Sequence, residues 1–460
     1  MITKIEIDGF KSFSDFQMEF TPFTVIAGTN ASGKSNLFDA LHLLSNLAVM
    51  DLRTAFSYKN LRGDVKELFT QYGDEVTARK MHFAVELLVE RKVVDNWGGQ
   101  CEIKTPRLRY ELIIARKENG KGFEELVVEY EYLTKINTDD DKWAKKYLGE
   151  KNKQIWKNSQ SGGSSKPYIY TEQINGVTTI RMRQDGRQGG KAAPANAVNQ
   201  TVLGSAVSID FPHVLAAKKE ISNWNFMQLN PEILREPTRY EVNLDDKIGH
   251  SGENLAAALY RIKEDNAYNL QLISFKLNSF LPEFTSVDVL DDTANKQFLI
   301  RLKNEDGKVF TSRVLSEGTL RLLTLCILLY DDKYQGLLCF EEPENGIHPF
   351  RIATMVELLR ALSTSFEAGE SLRQVIVNTH SPVFLRVLNK FFNNEDIFVS
   401  IWFSKLTTKL ITREEVKRKL RTSKMVPLTR DLQYSFSEAD IKMTIADAAR
   451  YLESQERMEV

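Results

Sequence analysis

A loop near the start of the chain has the residue types and spacing that bind phosphate. Gly28 is followed by four residues and then by Gly33, Lys34 and Ser35. Glycines at these positions let backbone N–H groups converge on phosphate oxygens, and a helix beginning at Lys34 would point its positive dipole end at the same place. Lys34 would then reach the β- and γ-phosphates of a nucleotide, and Ser35 would bind Mg²⁺. The predicted nucleotide-binding residues of this loop are Gly28, Asn30, Ala31, Ser32, Gly33, Lys34, Ser35 and Asn36.

Two adjacent carboxylates, Glu341 and Glu342, follow the apolar run 336–340. Charged groups at the end of a buried strand are costly unless a cation or a reacting water occupies the site. Glu341 would hold Mg²⁺, directly or through water, and Glu342 would orient or deprotonate the attacking water. An acidic turn after a strand is common by itself, so this prediction gains its force from the phosphate-binding loop.

Three further segments extend the pattern. Ser316 and Gly318 precede an apolar helical run, at a helix N-terminus suited to an anion. Asn345 and Gly346 come just after the acidic pair, and His380 follows an apolar strand. Alone, Ser316 would be an ordinary helix N-cap and His380 an ordinary packing or surface histidine. The order and spacing of all five segments favour a single site.

Taken together, the segments resemble those of ABC-type ATPases of the lineage that contains the structural-maintenance-of-chromosomes (SMC) proteins, RecF and the OLD nucleases. The Phe-Lys-Ser-Phe stretch at 10–13 and the stretch at 341–349 are also typical of that lineage. The resemblance covers 1–50 and 250–400 well and the middle of the chain loosely. Among proteins of this size, the chain looks like the ATPase subunit of anti-phage systems of the Septu or PARIS kind.

In that family ATP lies between two subunits, so the resemblance implies a homodimer or higher oligomer with Mg²⁺ and ATP. It makes Glu342, His380 and Lys34 the catalytic residues, with His380 as the switch on the γ-phosphate. Ser35 and Glu341 would be the metal ligands. The other implied residues are Lys11 at the nucleotide, Gln71 as a metal-sensing glutamine, Ser316, Glu317 and Gly318 as a signature acting on the opposite subunit, and Asn345 and Gly346 in the inter-subunit loop.

The chain departs from the family pattern at several points. Glu341 stands where aspartate is usual, as in the OLD-like branch, Glu317 where a second glycine is usual, and Thr319 where glutamine is usual. Long coiled-coil arms are missing, which argues against chromosome tethering. No Asp-x-Asp pair follows His380. A nuclease domain of the OLD kind is therefore not expected, and we expect an ATPase that works with a separate effector.

The elements that position this chemistry must come from both ends of the chain, because the phosphate-binding loop and His380 have to meet. We predict an α/β fold, one ABC-type P-loop ATPase head with an inserted β-rich and helical middle and no long coiled coil. Polar runs at 159–165 and 184–190 indicate flexible parts of the middle. The predicted units are an N-terminal ATPase lobe (1–140), an insertion (141–250), a C-terminal ATPase lobe (251–404) and a C-terminal helical extension (405–460).

Composition and charge narrow the possible partners. Lys and Arg number 61 and Asp and Glu 62, so a contact with nucleic acid must come from a local patch. One basic segment is 142–191, for which a solvated insertion is the alternative, and a second could be the solvated face of a helix. This second cluster consists of Lys417, Arg418, Lys419, Arg421 and Lys424. Three scattered cysteines and the lack of a long apolar run favour a cytoplasmic protein with no membrane contact.

Three functions remain open from the sequence. The leading hypothesis is an ATP-driven switch that controls a separate effector, a nuclease, in bacterial anti-phage defence. The alternative is a RecF-like clamp that closes on duplex DNA in repair or recombination, and the third is a nucleotide-gated scaffold. In each, ATP would favour the closed dimer because only that form adds Ser316 and Gly318 of the neighbour to the γ-phosphate.

Overall fold

The computed structural model describes most of the chain. The described residues are 1–58, 61–73, 76–118, 122, 124–158, 166–184, 190–194, 199–240, 246–367, 370–392, 397–413, 416–429 and 443–459. The polar run at 159–165 and most of that at 184–190 lie outside them.

Twenty strands and thirteen α-helices make up the described part. The strands are β1 Ile2–Asp8, β2 Phe16–Glu19, β3 Phe23–Gly28, β4 Lys80–Leu88, β5 Lys92–Val94, β6 Gln100–Glu102, β7 Arg107–Glu118, β8 Glu124–Lys135, β9 Ile169–Ile174, β10 Val177–Arg183, β11 Gly190–Pro194, β12 Asn225–Met227, β13 Thr238–Arg239, β14 Phe284–Asp292, β15 Gln297–Asn304, β16 Val309–Thr311, β17 Gly336–Glu341, β18 Arg373–Thr379, β19 Val399–Arg413 and β20 Val416–Pro427. The helices are α1 Lys34–Leu47, α2 Leu52–Phe56, α3 Val65–Leu68, α4 Lys142–Tyr147, α5 Lys153–Trp156, α6 Pro212–Ser222, α7 Pro231–Arg235, α8 Leu255–Asp265, α9 Ala267–Phe280, α10 Glu317–Leu329, α11 Ile352–Ala361, α12 Pro382–Phe392 and α13 Ile445–Glu459.

A six-stranded sheet in the order β12-β17-β18-β3-β19-β20 forms the centre of the predicted head. Its first five strands run parallel and β20 runs antiparallel to β19. The carboxyl ends of parallel strands meet at one edge, where α/β proteins bind ligands. Ala27 pairs with Thr379, so the phosphate-binding loop and His380 lie side by side at that edge. The α/β head formed from both chain ends is thus confirmed.

Alternating side chains of this sheet divide the interior into two cores. In β3, Ile26 points into one core and Val25 into the other. The first core contains α1, α6 and an eight-stranded sheet, and the second contains α8, α10, α11 and α12. Because both faces of the parallel strands are covered, β17 and β18 read as nearly continuous apolar runs, which is why they were recognisable in the sequence.

The eight-stranded antiparallel sheet has the order β11-β10-β9-β8-β7-β4-β1-β2. Its strands cross one of the lobe boundaries that the sequence predicts. Strands β9 to β11 continue the sheet of the N-terminal lobe across the predicted boundary at 140. Further along, β12 joins the central sheet before the predicted boundary at 250. The segment 141–250 therefore extends both sheets, because each offers it a free strand edge.

The interpretation of 405–460 as a helical extension is wrong for its first half. Strands β19 and β20 form a long hairpin that extends to Pro427, and α13 is the only helix among the residues that the structure describes in this segment. Leu406, Thr408 and Leu410 alternate with period two, and this part of β19 pairs with β20. The basic cluster 417–424 accordingly lies on a strand and not on the face of a helix.

No helix among the described residues is both long and apolar enough to cross a membrane.

Candidate nucleotide-binding and catalytic site

The phosphate-binding loop joins β3 to α1 in a conformation that requires glycine. Gly33 has φ +97°, and a Cβ placed on it would lie 1.9 Å from the Ser423 Oγ. A Cβ placed on Gly28 would lie 2.6 Å from the Ser404 carbonyl oxygen. Both serines belong to the C-terminal hairpin, so the loop is packed against that hairpin and has no room for larger residues.

Two hydroxyl contacts hold the loop against the hairpin. Ser404 donates to the Ser32 carbonyl at 2.9 Å, and the Ser12 and Ser423 hydroxyls are 2.7 Å apart. Asn36, in the first turn of α1, donates to the Ser12 Oγ at 2.8 Å. Sequence reasoning missed Ser404 and Ser423 because their contacts join residues 372 and 411 positions apart.

Lys34 is buried, with only 6% of its surface exposed. Its Nζ donates to the carbonyl oxygens of Gly28 at 2.7 Å and Thr29 at 2.8 Å, within the loop itself. Burial lowers the pKa of Lys34 to about 8, opposed by the negative charges of Glu342, Glu344 and Glu341. The lysine therefore faces the acidic turn from across the sheet edge.

Glu342 connects two of the predicted site segments. It has φ +44°, and its N–H donates to the Asn378 side-chain oxygen at 3.0 Å. His380 Nδ1 lies 3.1 Å from its Oε1, and the Asn345 side-chain amide donates to its Oε2 at 2.8 Å. The hydrogen bond from His380 lowers the pKa of Glu342 to about 2. The predicted base thus contacts both the predicted switch histidine and the predicted inter-subunit loop.

Glu341 ends β17 and is half-buried. Burial raises its pKa; Asp39 and Glu342 act in the same direction, while Arg62 and His250 oppose them. A carboxylate crowded by other acids favours a bound cation. The Ser32 Oγ, buried and without a hydrogen-bond partner in the described part of the chain, adds an unused polar atom to the loop. These residues fit a Mg²⁺–nucleotide complex.

The metal would be held by few protein groups. Among the described residues, no group of three or more His, Cys, Asp and Glu side chains could enclose a metal ion. Mg²⁺ is usually bound by one or two carboxylates together with substrate phosphates and water. Ser35 and Glu341 are consistent with that pattern.

The predicted signature, residues 316–318, contacts the inter-subunit loop of the same chain. Ser316 is exposed and caps α10 by accepting from the Thr319 N–H at 3.2 Å. A Cβ placed on Gly346 would lie 2.1 Å from the Glu317 Cδ, so the Glu317 side chain packs on that glycine. Arg321 neutralises Glu317 at 2.8 Å and donates to the Leu229 carbonyl at 3.0 Å. The described contacts of residues 316–318 do not include the phosphate-binding loop of the same chain.

Lys11 and Gln71 lie apart from the predicted contacts. The Lys11 ammonium is bonded to Asp39 at 2.5 Å and to the Arg62 carbonyl at 2.7 Å, so the structure gives it no contact with the loop. Gln71 is exposed and forms an isolated backbone bridge with Thr77. Neither residue is brought to the site by a described contact.

A different glutamine, Gln228, lies at the edge of the central sheet where the carboxyl ends of the parallel strands meet. It follows β12, where Met227 pairs with Phe340, so Gln228 is level with Glu341. An open groove of about 660 Å³ is lined by Gln228, His250 and Glu317. The signal in the sequence was a short apolar strand ending in glutamine, and three residues are too few for a periodicity to stand out.

Two family models match the chain, and both describe AAA ATPase domains. One, "AAA domain", matches residues 4–175 and so contains the phosphate-binding loop. The other, "AAA domain, putative AbiEii toxin, Type IV TA system", matches residues 214–386 and contains the signature, the acidic pair and His380.

Individual proteins of known description are also similar to the chain. An "ATP/GTP phosphatase" of Helicobacter pylori is 22% identical over 399 residues, which are 86% of this chain and 90% of that protein. The SMC head domain of Thermotoga maritima is 14% identical with a TM-score of 0.37, over 93% of this chain and 99% of that one. An Smc head domain from Pyrococcus yayanosii is 12% identical with a TM-score of 0.44, over 99% of both chains. Both AAA matches and the site geometry support ATP binding and hydrolysis.

Proposed function

We propose that this ATP hydrolase is a molecular switch that closes around ATP as a dimer or higher oligomer and controls a separate effector, a nuclease, in bacterial anti-phage defence. The observation that carries the proposal is the double contact of Glu342 with His380 and Asn345. It joins the proposed base to the side chains that we propose respond to the γ-phosphate and to the second subunit. The description of the model matching 214–386, a putative toxin of a type IV TA system, supports a role of this kind.

In the bound state, Ser35 and Glu341 would hold Mg²⁺, which would supply positive charge beside the nucleotide phosphates. Lys34 gives up its two loop carbonyls to reach those phosphates. Ser316 and Gly318 of the second subunit approach the γ-phosphate from the other side. ATP therefore binds the closed form more tightly than the open form, which is the free-energy difference that any switch requires.

Glu342 and His380 must exchange partners before hydrolysis. In the isolated chain they bond to each other, and a carboxylate whose pKa is about 2 is a weak base. When His380 turns to the γ-phosphate, Glu342 loses the hydrogen bond that lowers its pKa most and becomes free to accept a proton from the attacking water. Asn345 still holds its other oxygen. Turnover is thus coupled to closure.

Nucleotide-dependent capture of the partner tests this proposal. Glu342→Gln should remain closed with ATP and co-purify with a nuclease from its native host, whereas Ser316→Arg, which cannot close, should recover much less. Ser279→Arg, on an exposed position of α9, is the matched control. Recovery of no effector, or of equal amounts with both site variants, would count against the proposal.

A DNA clamp is the second candidate function, favoured by the charge on the C-terminal hairpin. Lys405 and Lys424 lie directly opposite each other and both are exposed. Like charges in a cross-strand pair are destabilising, so an anionic partner would relieve them. Lys419 and Arg421 are exposed further along β20.

Charge reversal tests the clamp. Lys405→Glu with Lys424→Glu should lower the affinity for linear duplex DNA and flatten its dependence on salt. Reversal of the exposed Lys296 and Lys308, in the turns on either side of β15, is the matched control. Equal affinity and salt slope in both double variants would exclude the hairpin as a DNA site.

A further inference from the structure

One buried carboxyl group beside the catalytic pair has no part in the mechanism above. Glu344 lies two residues after Glu342, and only 7% of it is exposed. Its Oε1 accepts a short hydrogen bond from the Thr379 hydroxyl. Its Oε2 is buried and has no hydrogen-bond partner within the described chain. A carboxyl group is kept in such a place at a cost, so it needs a reason.

Thr379 passes the contact of Glu344 on to the backbone around His380. Its hydroxyl donates to Glu344 and also accepts from the Ser381 N–H at 3.0 Å. Ser381 in turn caps α12, with its Oγ 3.2 Å from the Phe384 N–H. The residues immediately before and after His380 are therefore both fixed through one hydroxyl group.

Glu344 is also the most buried of the three acids whose charges act on Lys34, which are Glu341, Glu342 and Glu344. Burial raises the pKa of Glu344. An oxygen of its carboxyl group accepts from the Thr379 hydroxyl whether the group is charged or neutral.

We propose that Glu344 is a positioning residue that acts through Thr379 to hold His380 in reach of Glu342 and of the γ-phosphate. It touches neither nucleotide nor water in this role. The inference depends on ATP hydrolysis and not on the effector. Its test can therefore fail while the switch proposal stands, and the switch proposal can fail while this inference stands.

Removal of the side chain should slow the chemical step and leave nucleotide binding alone. We expect Glu344→Ala to lower kcat about tenfold with little change in KM, as loss of a supporting contact commonly does. Thr379→Val should reproduce that loss. Glu344→Gln should restore most of it, because an amide oxygen can accept from Thr379 and the amide is neutral.

Combination with His380→Ala identifies the route of the effect. If Glu344 acts through His380, the double variant Glu344→Ala, His380→Ala should have the same kcat as His380→Ala alone. Losses that multiply would overturn the proposal, as would a Glu344→Gln variant no more active than Glu344→Ala.

A second threonine offers a matched control. Thr364 is fully buried, its hydroxyl donates to Glu370 at 2.8 Å and accepts from the Phe366 N–H at 3.0 Å, the same pattern away from the site. Thr364→Val should change thermal stability as much as Thr379→Val does, but not kcat. Equal losses of kcat in the two valine variants would show a general packing effect and overturn the proposal.

Discussion

The two halves of the proposed ATP sandwich are built differently within the same chain. In the phosphate-binding half, Lys34 is buried and Ser404 and Ser423 pack against the loop. In the signature half, Ser316 is exposed and its hydroxyl caps its own helix. Because the hairpin packs against the phosphate-binding half, that half can bind nucleotide by itself. The exposed signature half needs the surface of a second subunit. Binding and hydrolysis should therefore be separable by mutation.

Loss of the predicted base should give the largest effect. We expect Glu342→Gln to lower kcat about 1,000-fold while the affinity for ATP is retained, because general-base catalysis is lost and the phosphate-binding half is intact. Phosphate release and the mass in solution with ATP measure the two quantities. Turnover near that of the wild type would show that Glu342 is not the base.

Lys34→Ala is the companion variant, since it should lose nucleotide binding and never form an ATP-dependent dimer. The pair also tests the scaffold hypothesis. If hydrolysis is incidental, Glu342→Gln should preserve biological activity and Lys34→Ala abolish it.

Damage to the signature half should have the next largest effect. Ser316→Arg fills the surface that meets the other subunit, so we expect hydrolysis to fall about 100-fold, as it does when reacting groups are misplaced. Binding of a fluorescent ATP analogue should be unchanged, because the phosphate-binding half is untouched. Cooperative hydrolysis retained by this variant would contradict the sandwich.

A smaller effect distinguishes the two candidate glutamines. Gln228 is level with Glu341, so Gln228→Ala should raise the Mg²⁺ concentration that half-saturates hydrolysis about tenfold. Gln71→Ala should leave that concentration unchanged, because no described contact joins it to the site. The opposite result would support the prediction that Gln71 is the metal-sensing glutamine.

The smallest expected effect concerns the His380–Glu342 pair and pH. Contact with Glu342 raises the pKa of His380. The stabilisation of the folded state that this contact gives is therefore complete below about pH 6.5 and is lost as pH rises through the raised pKa of His380. The same contact lowers the pKa of Glu342 to about 2. The stabilisation that depends on a charged Glu342 is therefore complete above about pH 4.5 and is lost as pH falls towards 2. Lys34 and Glu344 also act on His380. Both side chains of the pair are about one-third exposed, which limits the gain to less than about 1 kcal/mol.

Thermal unfolding of the wild type and His380→Ala across pH tests this prediction. The wild type should have its greatest advantage between about pH 4.5 and 6.5 and lose much of it in alkali. A difference that does not vary with pH would show that the pair is not charged in the resting chain.

The sequence predicts the parts of the fold and site that depend on short local motifs. It misses those that depend on contacts between segments far apart in the chain. Gly28 to Ser35 form a local motif, and β17 and β18 carry apolar runs that place Glu341 and His380. By contrast, the strands within 405–427 are missed, because they depend on the pairing of β19 with β20 and not on a local motif. The placement of Lys11 at the nucleotide stays a prediction, and its bond to Asp39 on α1 depends on a distant contact of the same kind.

The packing of Ser404 and Ser423 on the phosphate-binding loop has a consequence for synthesis of the protein. The loop is translated early, but the surface that braces Gly28 and Gly33 comes from residues 399–427. Domains fold as their segments emerge from the ribosome. The nascent chain would therefore carry every motif up to His380 and still lack a finished nucleotide site, so that ATP can be bound only when the hairpin has docked.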